Sequence, residues 1–219
     1  MPNHQLSAED ALRRAAVLAP DAPEPLFRLC ALLLQRGAAE AQAMLGDLLA
    51  RFPLHAPGWE ALGVVLEQAG KAEAALVCFG KAAAVVPSFT LAMRQGGLLR
   101  QLGRHPEAAA CFEQAVALNA GNGLAWFRLG LCRQDAGDLA GAATAYQTAL
   151  DSEPALAEAA VNLGTVLQDA GRLDDAKQAY GRAVRTRGDT FGRVAQALTT
   201  STKGELWLDL GRLRRDLAG

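Results

Sequence analysis

The 219-residue sequence predicts an all-α fold, a solenoid of stacked helical hairpins. Three observations predict it. The first is a period of about 34 residues. Segment 58–87 carries Trp59, Leu62, Gly63, Gly70, Ala75, Phe79, Ala82 and Pro87. Segment 125–154 carries Trp126, Leu129, Gly130, Gly137, Ala142, Tyr146, Ala149 and Pro154 at the same eight offsets. The second is the small residues. Gly63, Gly130 and Gly164 fall mid-helix, where glycine costs about 1 kcal/mol relative to alanine, so a neighbouring helix must need the space. Ala75, Ala108, Ala142 and Ala176 sit at the matching place on the second helix of each hairpin, and Phe79, Phe112, Tyr146 and Tyr180 fill the gap between successive hairpins. The third is punctuation. Gly70, Gly103, Gly137 and Gly171 end first helices, and Pro53, Pro87 and Pro154 stop second helices.

The elements follow in order. Residues 7–20 match only the second half of a hairpin, through Ala8, Leu12, Ala15 and Pro20; Ser7 and Asp10 form a capping box with Asp in place of Glu. This gives an N-terminal tail and capping helix over 1–21. Five hairpins follow at 22–55, 56–89, 90–122, 123–156 and 157–190. The first keeps Leu29, Ala41, Leu45 and Pro53 but lacks the tryptophan and glycine signals. The third is one residue short, since Gly97 to Gly103 spans six residues where Gly63 to Gly70 spans seven; its first helix has two possible registers. Residues 191–219 match no hairpin and read as a C-terminal capping helix and tail. Phe191, Val194, Ala195 and Leu198 share a helical face. A loop follows at 199–204, then "ELWLDL", which alternates, and a short helix with Leu210, Leu213 and Leu217 on one side.

The W-x2-L-G…A-x3-F…P spacing resembles the tetratricopeptide repeat (TPR) family. The resemblance implies a right-handed superhelical α-solenoid of helix–turn–helix repeats. It also implies that offsets 2, 5, 9, 12 and 13 of each first helix line a concave groove that takes a partner helix or peptide. In this sequence those offsets put Leu26, Cys30 and Leu33, then Glu60, Val64 and Glu67, in the groove. Arg94 and Leu98 follow, then Phe127, Leu131 and Gln134, and finally Val161, Thr165 and Gln168. The Lys and Asn of carboxylate-clamping TPR modules are missing from offsets 5 and 9. Of the Asn ladder at offset 6 in the sugar-transferase relatives, only Asn162 is present; the other residues there are Phe27, Ala61, Gln95 and Arg128. An apolar groove with a Glu/Gln/Asp edge suits an amphipathic helix.

Composition narrows the function further. Apolar residues make up 51% of the chain, enough for a continuous core. A net charge of −1 argues against general nucleic-acid binding. Residues 172–219 are the basic end, with ten Lys and Arg against six Asp and Glu. That end reads either as a solvated cap or as a patch for an acidic partner. No apolar run is long enough to cross a membrane, and no signal peptide is evident, so a cytoplasmic protein is expected.

Cys30, Cys78, Cys111 and Cys132 have no zinc spacing and read as buried thiols. His4, His55 and His105 read as surface residues, and no phosphate loop or hydrolase motif occurs. No metal, cofactor or catalytic group is therefore expected, and the 29 residues after the array are too few for a catalytic domain.

The reading is a non-enzymatic scaffold for a protein or peptide partner. Two alternatives stand beside it. One is a head-to-tail homo-oligomer. The other is an accessory or targeting module for an enzyme or secretion apparatus encoded elsewhere. Leu206, Trp207 and Leu208 either cover the last repeat or form a docking element.

Overall fold

The computed structural model describes residues 7–38, 40–200 and 214–217. Every regular element among them is helical. Leu206, Trp207 and Leu208, expected to form a cover or a docking element, the 201–204 part of the expected loop, and Leu210 and Leu213 of the expected last helix lie outside these residues.

The capping helix is α1 (Ala8–Leu18). Its N-cap is Ser7, whose Oγ accepts from the Asp10 N–H at 3.1 Å and donates to Asp10 Oδ2 at 2.7 Å. Five hairpins follow: α2 (Pro23–Gln35) with α3 (Glu40–Arg51), α4 (Ala56–Gln68) with α5 (Ala72–Val85), and α6 (Phe89–Gln101) with α7 (His105–Leu118). Then come α8 (Gly123–Asp135) with α9 (Leu139–Ser152), and α10 (Ala157–Asp169) with α11 (Leu173–Thr186). A 3-10 turn at Gly188–Thr190 leads into α12 (Phe191–Thr200), and residues 214–217 are helical.

Two compact units result, one up to Leu98 and one from Leu99, the division falling inside α6. In the first, α1 to α5 pack each on the next, and Leu91 and Leu98 of α6 join Ala75, Phe79 and Ala82 of α5 in one core. In the second, α7 to α11 pack in the same succession. Val194 and Ala195 of α12 and Leu217 of the last segment are buried in its core.

Within a hairpin the turn is closed the same way each time. Gly37, Gly70, Gly103, Gly137 and Gly171 have φ between 69° and 80°, a left-handed conformation that costs a residue with a Cβ more than glycine. The N–H after each glycine reaches back to the carbonyl five residues earlier, as Lys71 to Leu66 at 2.9 Å and Arg172 to Leu167 at 2.8 Å.

The mid-helix glycines are explained by direct contact. A Cβ on Gly63 would stand 2.5 Å from the Phe79 ring, on Gly130 2.6 Å from Tyr146, and on Gly164 2.5 Å from Tyr180. Each ring therefore fills the crossing inside its own hairpin, which corrects the expectation that it fills the gap between successive hairpins.

All five first helices are 13 residues long, which gives them a common numbering from position 1 to position 13. The glycine that meets the ring is at position 8. In α6 position 8 is Gly96, which is buried, and not Gly97, because the helix starts at Phe89. The missing residue lies in the connection from α5 to α6, where three residues replace the four before α4, α8 and α10. The first hairpin shifts likewise. Ala38 bonds back to Leu33 at 2.9 Å as Lys71 does to Leu66, so α2 counts from Pro23, and Cys30 stands where the other hairpins have glycine.

Candidate functional site

The residues expected to meet a partner divide by unit and by register. In the first unit, Cys30, Leu33 and Leu98 are 0%, 3% and 3% exposed. They are core residues, not groove residues, a correction that follows from the register of α2 and α6. Their neighbours Phe27, Ala31, Met93 and Gly97 occupy positions 5 and 9 instead, all half-buried. Leu26, at position 4, is also half-buried. Glu60 and Val64 keep their places at positions 5 and 9 of α4.

Glu67, at position 12 of α4, is not open to a ligand in the way the spacing implied. Arg94, at position 6 of α6, donates from Nη1 to Glu67 Oε2 at 2.7 Å. The Arg94 guanidinium also lies 5.9 Å from the centroid of the Phe79 ring. This pairing shows where a position-6 side chain reaches: to position 12 of the preceding first helix.

In the second unit the same position 12 is used differently. The Tyr146 hydroxyl donates to Gln134 Oε1 at 2.7 Å, and the Tyr180 hydroxyl to Gln168 Oε1 at 2.9 Å. Burial pushes the ionisation of both tyrosines up, the Asn162 amide offsetting part of the rise at Tyr146. The hydroxyls thus stay protonated donors. Gln168 is 2% exposed and Val161 4%, so both belong to the core rather than to a groove, and Gln134 is tied to its own hairpin. Left half-buried on this face are Phe127 and Leu131 of α8 and Thr165 of α10. The Phe127 ring lies 5.8 Å from the Tyr146 ring, and Thr165 Oγ1 donates to the Val161 carbonyl at 3.2 Å.

Charge on this part of the second unit is partly neutralised. Arg100 Nη1 is 3.9 Å from Asp135 Oδ2, and His105 Nδ1 is 3.2 Å from the same oxygen. His105 therefore has an acidic neighbour rather than water alone. His55 is also more than a surface residue. Its Nδ1 accepts from the Gly58 N–H at 3.0 Å, capping α4, and its ring meets Phe27 edge-on at 4.9 Å. Burial lowers its pKa from 6.5.

Cys30, Cys78 and Cys132 are buried as expected, whereas Cys111 is half-buried. Burial pushes Cys30 and Cys132 up to about 11, and raises Cys78 and Cys111 as well. Among the described residues no group of His, Cys, Asp and Glu has the arrangement of a metal site, and no helix is long and apolar enough to cross a membrane.

The sequence reading missed a groove of about 1480 Å³ on the side of the second unit formed by α9 and α11. Leu163 and Val166 of α10 contribute to its lining, with Thr144 and Thr148 of α9 and Arg182 and Arg185 of α11. Leu217 forms part of it; its carbonyl accepts from Arg185 Nη1 at 3.2 Å and would be 2.9 Å from a Cβ on Gly181. Gly181, the single glycine inside α11, was the hint in the sequence.

Comparison with known proteins agrees with this construction. The tetratricopeptide repeat family matches residues 28–87 and 93–157, and again 133–200. No curated protein matches the sequence. Among solved structures the chain is similar to YrrB, a TPR protein with an unusual peptide-binding site, at 22% identity over 83% of this chain and 95% of that one, with a TM-score of 0.74. It is similar to MamA from Desulfovibrio magneticus RS-1 at 20% identity over 76% and 96%, with a TM-score of 0.64. It is also similar to pilF of Pseudomonas aeruginosa at 22% identity over 97% and 89%, with a TM-score of 0.62. With the hairpin geometry and these matches together, the chain belongs to the tetratricopeptide repeat family.

Proposed function

We propose that this chain is a non-enzymatic protein-interaction scaffold that binds a partner helix or peptide on the exposed face of its first helices. The observation that carries the reading is the shelf made by Phe127 and Leu131. Two large apolar side chains stay only half-buried on α8, while Leu129 beside them is fully sealed. An amphipathic helix or an extended apolar segment is the ligand class that such a shelf fits. The peptide-binding site named for YrrB adds support by likeness of fold.

The test is affinity capture with the wild-type chain beside the double variant Phe127→Ala, Leu131→Ala. The expected result is loss of at least one captured partner with an unchanged melting curve. Identical captured sets would place binding elsewhere on the molecule.

A second reading, self-assembly, is favoured by one observation at the other end of the chain. Val17 and Leu18 at the end of α1 are 79% and 84% exposed. Light scattering coupled to size exclusion separates the two, since a strict monomer across concentration and salt removes this one.

A further inference from the structure

We infer that the groove between α9 and α11 is an interaction surface for a leucine-bearing helical turn, closed in the single chain by its own last segment and open to the same segment of a second copy. This gives the self-assembly reading a site, and it is independent of the α8 shelf.

The segment at 214–217 shows what the groove accepts. Arg214, Arg215 and Asp216 are exposed, whereas Leu217 is 1% exposed and shares one core with Ala179, Ala183 and Val184 of α11. The Leu217 carbonyl accepts from Arg185 Nη1 at 3.2 Å and lies 2.9 Å from where a Cβ on Gly181 would stand. The seat therefore reads a turn of helix by one apolar side chain and one backbone oxygen. Glycine beneath lets that backbone come close.

Arg185 repeats a contact made elsewhere in the chain. Arg182, one turn before it, donates from Nη2 to the Leu150 carbonyl at 2.9 Å, in the last turn of α9. Arg51, the last residue of α3, donates to the Pro20 carbonyl just beyond α1. In each case a guanidinium satisfies a carbonyl at a helix end, where intrahelical donors run out.

The seated turn is releasable. A single turn of helix has no stability of its own. One leucine anchors it, and its surface contacts, such as the Arg214 guanidinium 5.2 Å from the Phe191 centroid, add little. Alongside it the groove of about 1480 Å³ continues past Thr144 and Thr148 of α9 and Val166 of α10. Thirteen residues, 201–213, separate α12 from Arg214 in the sequence, so the turn is tethered and not part of α12. A tether of this kind holds the turn at its own groove with an effective concentration of roughly millimolar. The turn of a second copy makes the same contacts and needs no new ones, as in domain exchange.

The experiment separates seat from segment with two full-length variants. Leu217→Asp keeps the seat and removes the anchor. Gly181→Leu keeps the anchor and fills the seat, at a helix position where leucine is favoured over glycine. Each alone is expected to be monomeric by light scattering, and the two mixed are expected to form a one-to-one complex. A fluorescent synthetic copy of residues 205–219 should bind Leu217→Asp at least about tenfold more tightly than wild type, whose seat is filled, and should not bind the double variant Leu217→Asp, Gly181→Leu. Trypsin should cut wild type after Arg214 or Arg215 well before it cuts α11, and Gly181→Leu faster still. Cleavage of the tail only as fast as α11 would make the segment a fixed part of the core and overturn the inference. So would a peptide that binds none of the variants, or binds regardless of Gly181→Leu. Peptide binding without association of the mixed variants would overturn the second copy as occupant and leave the seat standing. Wild-type self-association that persists in Leu217→Asp alone would overturn this site as its cause and leave the self-assembly reading intact.

Discussion

In the α4–α5 hairpin the ring that fills the crossing is Phe79; in the α8–α9 hairpin it is Tyr146. The two hairpins share glycine at position 8, tryptophan at position 4 and a left-handed glycine in the turn. They differ by a phenolic oxygen, and that oxygen changes what position 12 does. Tyr146 holds Gln134 inside its own hairpin at 2.7 Å. Phe79 has no such donor, and Glu67 turns instead to Arg94 of the next first helix at 2.7 Å. The hairpin that lacks the hydroxyl ties its neighbour by charge. The hairpin that has it satisfies its own polar side chain. A buried repeat contact thus decides whether position 12 is tied within its hairpin or to the next first helix.

The comparison can be broken in four places. The largest effect is expected for Phe79→Ala, which empties a crossing sealed at 0% exposure and should cost about 3–5 kcal/mol in chemical denaturation. A loss much smaller than this would mean that the ring is not what spaces the two helices. Next is Ala142→Leu, at the tight crossing in the second unit; overpacking should cost roughly 1–3 kcal/mol, and an unchanged melt would argue against the register used here.

Smaller still is Tyr146→Phe, which makes the second hairpin like the first. It removes the bond to Gln134 and should cost about 0.5–1.5 kcal/mol. It should also free Gln134, visible as a shift of its side-chain amide resonances. The smallest effect is expected from pH at His55. Its folded pKa lies below 6.5, so the unfolded chain binds the extra proton first. The stabilisation is complete above that value and is lost as pH falls from about 6.5 through the lower folded pKa. His55→Asn keeps a capping side chain and should flatten this part of the stability profile. An identical profile in the variant would remove His55 as the cause.

The hairpins were legible because their constraints are local and repeated. A glycine opposite an aromatic, and a glycine turn followed by a helix, can be read from two copies. The register of α2 and α6 was not legible. α6 follows a shortened connection, and α2 begins at Pro23 with α4 at Ala56, one residue closer than α8 at Gly123 is to α10 at Ala157; counting repeats from outside cannot locate the missing residue. In α6 the adjacent Gly96 and Gly97 allowed either alignment, and in α2 the position held Cys30, with no glycine to mark it. The face residues suffered most. By spacing Arg94 is a ligand contact; in the structure it is the partner of Glu67, a relation across two helices that exists only in the correct register. Gln134 and Gln168 appeared free because nothing in a linear pattern ties a tyrosine to a side chain 12 residues before it.

Trp59 and Trp126 have a consequence of their own. Each indole N–H donates at 2.8 Å to a carbonyl in the connection just before its helix, Pro53 for one and Ala120 for the other. Each fluorophore therefore sits at the joint between one hairpin and the last, in a different unit. When a joint parts, its indole loses its acceptor and becomes wet, and emission moves to longer wavelength. Single-tryptophan versions of the protein would let the two joints report separately, so the order in which this stack comes apart is written into its own light.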